Sequence, residues 1–126
     1  MKRGGELSNI REELDFEIVH FGVNCVDELE ARKNAETFAA IFGFPIKEGK
    51  DSIYASPSIE IMKGSGRGKC GHIAVASNDI HKAQKYLENQ GLEFDPTSVK
   101  YSNEGNLIVI YLKNEIAGFA IHLLQR

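Results

Sequence analysis

Two stretches of this chain repeat each other in order, and that repetition limits the fold more than any other feature. His20-Phe21-Gly22-Val23, then Asp27, is matched by His72-Ile73-Ala74-Val75, then Asp79. A helical pattern follows each match and stops at a glycine before a large apolar residue, Gly43-Phe44 and Gly91-Leu92. Each half closes on a period-two pattern, Ile59-Glu60-Ile61 and Ile121-His122-Leu123. A chain of this kind folds as the same supersecondary unit made twice.

The unit reads as βαβββ. Residues 16–25 are rich in β-branched and aromatic types and predict a strand. Asp27 with Glu30 forms a capping box that opens a helix. Ala31, Ala35, Phe38, Ala39 and Phe42 share one face of that helix, and Gly43 and Pro45 end it. Strands are expected over 46–48, 52–55 and 58–63. The second half predicts a strand over 70–77 and a helix capped by Asn78 or Asp79. That helix carries Ile80, Ala83 and Leu87 on one face and stops at Gly91. Strands over 92–94, 107–112 and 119–124 follow, with a turn at 114–118. The expected organisation is a polar leader, 1–14, and one α+β domain, 15–126. The domain consists of modules 15–63 and 70–125 joined by the flexible run Gly64-Ser65-Gly66-Arg67-Gly68.

Several function classes drop out. The 126 residues carry 15 Lys and Arg against 18 Asp and Glu, a net charge of -3, which disfavours nucleic acid as a partner. The longest apolar run, 39–46, contains Gly43 and Pro45 and is far shorter than the ~20 residues that span a bilayer. No apolar stretch opens the chain, so no signal peptide is expected. Cys25 and Cys70 make no disulfide framework, which fits a reducing, cytoplasmic setting. Both thiols are expected to be buried, the alternative being a redox or metal-ligand role. The glycine-rich run is not a phosphate loop: Lys63 stands where a glycine is required, and Cys70 where Ser or Thr would reach magnesium.

His20, Glu60, His72 and His122 occupy matched places in the repeat, each a polar residue between apolar neighbours. Strand side chains alternate, so the apolar neighbours face one way and the four polar groups the other. A single histidine on an apolar strand is ordinarily a core residue, but four matched positions point to convergence. Three imidazoles and a carboxylate suit a divalent transition metal (Zn, Ni, Co, Mn or Fe) and are too rich in nitrogen for calcium or magnesium. His81, beside Asp79 and Lys82 on a helix, reads as solvated. Asn24, Tyr54, Arg67 and Tyr111 are further pocket candidates.

His20 in H-x-x-V, Glu60 in I-E-I, His72 in G-H-I-A-V and His122 in A-I-H-L, set in duplicated βαβββ units, resemble the vicinal oxygen chelate superfamily. Glyoxalase I, methylmalonyl-CoA epimerase, fosfomycin-resistance proteins and extradiol dioxygenases belong to it. The resemblance covers 16–125 and implies a curved mixed sheet around a cleft. His20, Glu60 and His72 match three of the four metal positions of glyoxalase I. The fourth, normally Glu, is His122. The resemblance implies a metal-dependent lyase or isomerase acting on a small 2-oxo or 2-hydroxy compound through an enediolate, with Glu60 and His122 as catalytic candidates. A homodimer is implied too, with His20 and Glu60 facing His72 and His122 of a second copy.

The stretches 41–44, 59–63, 111–113 and 118–123 are also similar to a glyoxalase-type domain attached to some bacterial 2-keto-3-deoxy-6-phosphogluconate / 4-hydroxy-2-oxoglutarate aldolases. That likeness implies the alternative, a non-catalytic metal- or ligand-binding domain associated with a sugar-acid aldolase. A drug-binding resistance protein is a third reading.

Overall fold

Asp27 and Asp79 cap their helices as the sequence predicts. Each sits in extended backbone, and its side chain accepts from the N–H three residues on, at Glu30 and Lys82. The Glu30 carboxylate answers by accepting from Val26 N–H at 2.8 Å. Gly43, at φ 72, ends the first of these helices in the left-handed conformation that glycine tolerates. The structure, a computed structural model, describes residues 5–126, so the first four residues of the expected leader lie outside it.

In chain order the elements are α1 (Gly5–Leu14), β1 (Glu17–Val23), α2 (Glu28–Phe42), β2 (Ile46–Glu48), β3 (Ser52–Ala55), β4 (Ile59–Met62), β5 (Gly71–Ser77), α3 (Ile80–Asn89), β6 (Phe94–Tyr101), β7 (Leu107–Leu112) and β8 (Phe119–Gln125). The eight strands form a mixed sheet in the order β2-β3-β4-β1-β5-β8-β7-β6. β1 runs parallel to β4, while β2–β3, β3–β4, β6–β7 and β7–β8 are antiparallel. The α+β class and the βαβββ order are as expected from the repeat.

The chain divides into two units that do not coincide with the halves of the sequence. One takes the residues up to Ile18, then Ala74–Glu115 and Ile121–Arg126; the other takes Val19–Ile73 and Ile116–Ala120. In the second, Ala31 and Ala35 of α2 pack with Cys25, Ile53, Ala55 and Ile61. Small side chains on that helix face let it lie close to β3 and β4. Ile53 and Ile61 are fully buried, each contributing about 1.5–3 kcal/mol. In the first unit, Leu14, Ile80, Ala83, Leu107, Ile110 and Leu123 form the core. Leu14, at the end of the expected polar leader, is therefore a core residue, and Ser77 Oγ and Asn78 N–H both donate to its carbonyl.

Two local expectations are corrected. β6 covers Phe94–Tyr101 instead of 92–94. Pro96 is accommodated inside it because β6 is the last strand of the sheet, where an outward-facing N–H has no ladder partner to lose. The register against β7 also shifts between Asp95 and Lys100. Cys25 is buried, but Cys70 is exposed, because it precedes β5 at the end of the linker.

Candidate metal centre

Strand register brings the site together within one unit. Parallel pairing of β1 with β4 sets Gly22 opposite Glu60, and antiparallel pairing of β3 with β4 sets Tyr54 on the other side of Glu60. Two residues before Gly22, His20 projects to the same face. His72 enters from β5. His20 Nε2 and His72 Nε2 lie 3.3 Å apart, and Glu60 Oε1 is 3.3 Å from the first and 3.1 Å from the second. Both imidazoles are buried. One chain supplies all three groups, so this part of the set does not need the partner expected to contribute His72.

This triangle has the size a metal requires. Bonds of about 2.1 Å to three donors place the donors about 3.0 Å apart at right angles and about 3.4 Å apart at tetrahedral angles. Two imidazole nitrogens and one carboxylate oxygen at 3.1–3.3 Å fall between those limits. The donor set is that of a two-histidine, one-carboxylate face, which suits a divalent transition ion. Calcium and magnesium prefer all-oxygen shells.

The surroundings hold the carboxylate in register. Ser52, buried on β3, donates from Oγ to Glu60 Oε2 at 2.7 Å and leaves Oε1 directed at the two imidazoles. Burial pushes the Glu60 carboxyl up, but hydrogen bonds from His20, His72 and Ser52 outweigh it and hold the group well below the usual carboxylate range. Tyr54 presents its ring edge-on to His20, with centroids 5.7 Å apart. Burial, and then the Glu60 charge, push its phenol up to about 12, so it stays a neutral donor at neutral pH.

His122 stands on β8, buried, with its ring centroid 4.9 Å from that of Tyr111. Its Nδ1 is 3.0 Å from the Leu123 carbonyl, which can only accept, so Nδ1 carries the hydrogen and Nε2 presents a lone pair. His81 is exposed, as expected.

Of the other pocket candidates, Tyr54 and Tyr111 contact site histidines and Arg67 is exposed. Asn24 instead grips the linker, accepting from Gly66 N–H and donating to the Gly68 carbonyl, each at 3.0 Å. The run expected to be flexible is thus tied at two points.

Sequence reasoning missed Ser52 and Gly22. A Cβ added to Gly22 would fall inside the His72 imidazole, 2.5 Å from Nε2. The letters did carry a signal for Gly22, since it lies two residues after His20 and so on the same strand face. Ser52 carried none before the β3–β4 register was known.

No family model matches the chain, and no curated protein does. Solved structures do. A hypothetical protein from Bacillus halodurans C-125 superposes with a TM-score of 0.65 at 13% identity, over 89% of this chain and 95% of that one. A methylmalonyl-CoA epimerase in complex with methylmalonyl-CoA and NH4+ gives 0.62 at 15%, over 86% and 92%. The epimerase from Mycobacterium tuberculosis gives 0.60 at 16%, over 86% of each. The chain therefore has the mixed α+β fold of the glyoxalase and vicinal oxygen chelate proteins.

Proposed function

We propose that the protein is a metal-dependent isomerase or lyase of the glyoxalase type, acting on a small 2-oxo or 2-hydroxy compound. The observation that carries this reading is the triangle of His20 Nε2, His72 Nε2 and Glu60 Oε1, already at ligand spacing. His122 is the fourth ligand in the proposal, supported by its matched place in the repeat and by a tautomer that presents Nε2. When bound, a divalent ion (Zn, Ni, Co, Mn or Fe) supplies Lewis-acid polarisation of neighbouring substrate oxygens and eases removal of the adjacent C–H proton.

The chain's own residues do the rest. Glu60 accepts that proton on its carboxylate and returns it, while Ser52, donating to Oε2, holds the carboxylate in place. His122, committed through Nδ1 to a carbonyl, orients and ligates rather than shuttles, which assigns the base role to Glu60. Epimerisation of a methylmalonyl thioester, the reaction named for several neighbours, inverts a carbon beside a carbonyl and asks for the same proton transfer. In this reading the protein is cytoplasmic and works as a homodimer. The dimer is supported by Val19, Phe21 and Val23 on the outer face of β1, which are exposed although apolar.

Elemental analysis of the purified protein, followed by solvent-deuterium exchange into 2-oxo acids and thiol adducts of methylglyoxal, tests the proposal. The parent is expected to hold about one metal per chain and to exchange the α-proton. Glu60→Gln is expected to abolish exchange while keeping much of the metal, and His122→Glu to preserve or raise it. Metal bound without exchange by any of these proteins refutes the enzyme and leaves the aldolase-associated accessory domain. Absence of metal refutes the enzyme and the metal-binding form of that alternative, and leaves a ligand-binding accessory domain. Light scattering at micromolar concentration gives the dimer's mass, or refutes it.

A further inference from the structure

The metal-facing side of the sheet continues past Glu60 to a second feature. Register pairs Lys47 with Tyr54 and Tyr54 with Glu60, so the three lie in one row across β2, β3 and β4 and share a face. At about 4.8 Å per strand, the Lys47 and Glu60 backbones are roughly 10 Å apart, with Tyr54 as the floor between them. Beside the row is a cavity of about 390 Å³ lined by Pro45, Lys47, Tyr54, Ser56 and Pro57.

Two groups in this cavity are uncommitted. Glu48, the neighbour of Lys47, takes Arg32 and Lys63 as partners at 2.6 and 2.9 Å. Lys47 points to the opposite face and has no ion-pair partner among the described residues. Tyr54 Oη likewise makes no hydrogen bond among them, and it is not a buried orphan, so it opens onto accessible space. A phenol hydroxyl can donate to an anion. Pro45 and Pro57 supply rigid apolar walls. One cation and one hydroxyl match a carboxylate better than a doubly charged phosphate.

We propose that this cavity is a subsite for the substrate's far end: the substrate is a 2-oxo or 2-hydroxy compound whose short apolar chain crosses Tyr54 and ends in a carboxylate held by Lys47. The inference rests on the metal-site reading above and adds the substrate class, an acid charged at both ends.

Titration calorimetry of zinc-loaded protein with 2-oxohexanoate and 2-oxoadipate tests it. The two share a chelating head and differ only in a terminal methyl against a terminal carboxylate. The parent is expected to bind 2-oxoadipate about tenfold more tightly or better. Lys47→Met, a change at an exposed position, is expected to erase that preference and leave zinc and 2-oxohexanoate affinity unchanged. Equal affinities in the parent, a preference that survives in Lys47→Met, or zinc held with neither acid bound overturns the subsite. Failure to hold zinc overturns the metal-site reading instead. In that event the Tyr54 ring resonances of the metal-free protein decide the subsite: a shift with 2-oxoadipate that Lys47→Met abolishes supports it, and no shift overturns it.

Discussion

Replacing Gly22 with Ala adds one carbon at the point where the site has no room. The Gly22 backbone is not in the left-handed region, so alanine is conformationally acceptable there and the effect is purely steric. The new Cβ would lie 2.5 Å from His72 Nε2 and nearer still to Cε1 and Nδ1 of the same ring. Carbon contacts settle at about 3.5–4.0 Å, so the imidazole must retreat by roughly 1 Å or more. Ligand positions tolerate only about ±0.2 Å, so His72 is lost as a donor while its chain remains intact. Overpacking at a buried site costs typically 1–3 kcal/mol of stability as well. The assay is competitive zinc titration alongside urea unfolding of the metal-stripped protein. Zinc affinity is expected to fall by at least about 100-fold, beyond the usual effect of an outer-shell change. Gly64→Ala is the control, since a Cβ there meets nothing within 4 Å; it should change neither quantity. Gly22→Ala binding zinc within twofold of the parent would refute the placement of His72.

Ser52→Ala removes the hydrogen bond to Glu60 Oε2 and should weaken zinc binding about 10–100-fold, measured by the same titration. Asp79→Ala removes the α3 cap and should lower the stability of the metal-free protein by about 0.5–2 kcal/mol, read as a urea midpoint shift at constant slope. Glu48 is held down to about 2 by its hydrogen bond from Arg32 and then that from Lys63. Its folded value lies below its unfolded value of about 4.3, so its contribution is present above pH 4–5 and lost as pH falls towards 2. The midpoint gap between the parent and Glu48→Gln should therefore close over that range. A gap as wide at pH 2.5 as at pH 6 would contradict the pairing.

The sequence carried much of this because the governing forces are local. Asp27, Asp79 and Gly43 act within one helical turn, and β2, β3 and β7 cover the stretches expected from their β-forming residues, 46–48, 52–55 and 107–112. His20, Glu60 and His72 were legible because a duplicated strand puts the same side chain in the same place twice. What was not legible depends on neighbours distant in sequence. Pro96 weakens a strand only if both edges are paired, and the letters do not say that β6 is terminal. Leu14 looks like the end of a charged segment until Ile80, Leu107 and Leu123 surround it. The apolar residues beside His20 were read as facing away from the polar set, which does not say whether anything covers them; Val19 and Phe21 are exposed.

The interleaved make-up of the two units bears on how the protein can be divided. The repeat suggests that cutting within 64–68 would release two self-sufficient halves. Neither half would be complete. Leu14 from the N-terminal piece belongs to the core built by Ile80, Ala83, Leu107, Ile110 and Leu123 of the C-terminal piece. Residues 116–120 of the C-terminal piece belong with 19–73, and His72 of that piece lies 3.1 Å from Glu60 Oε1 of the other. Each fragment expressed alone would leave a core open, and the two expressed together are expected to complete each other's cores, so the boundary drawn by the repeat is not a place where the protein can be cut into folding units.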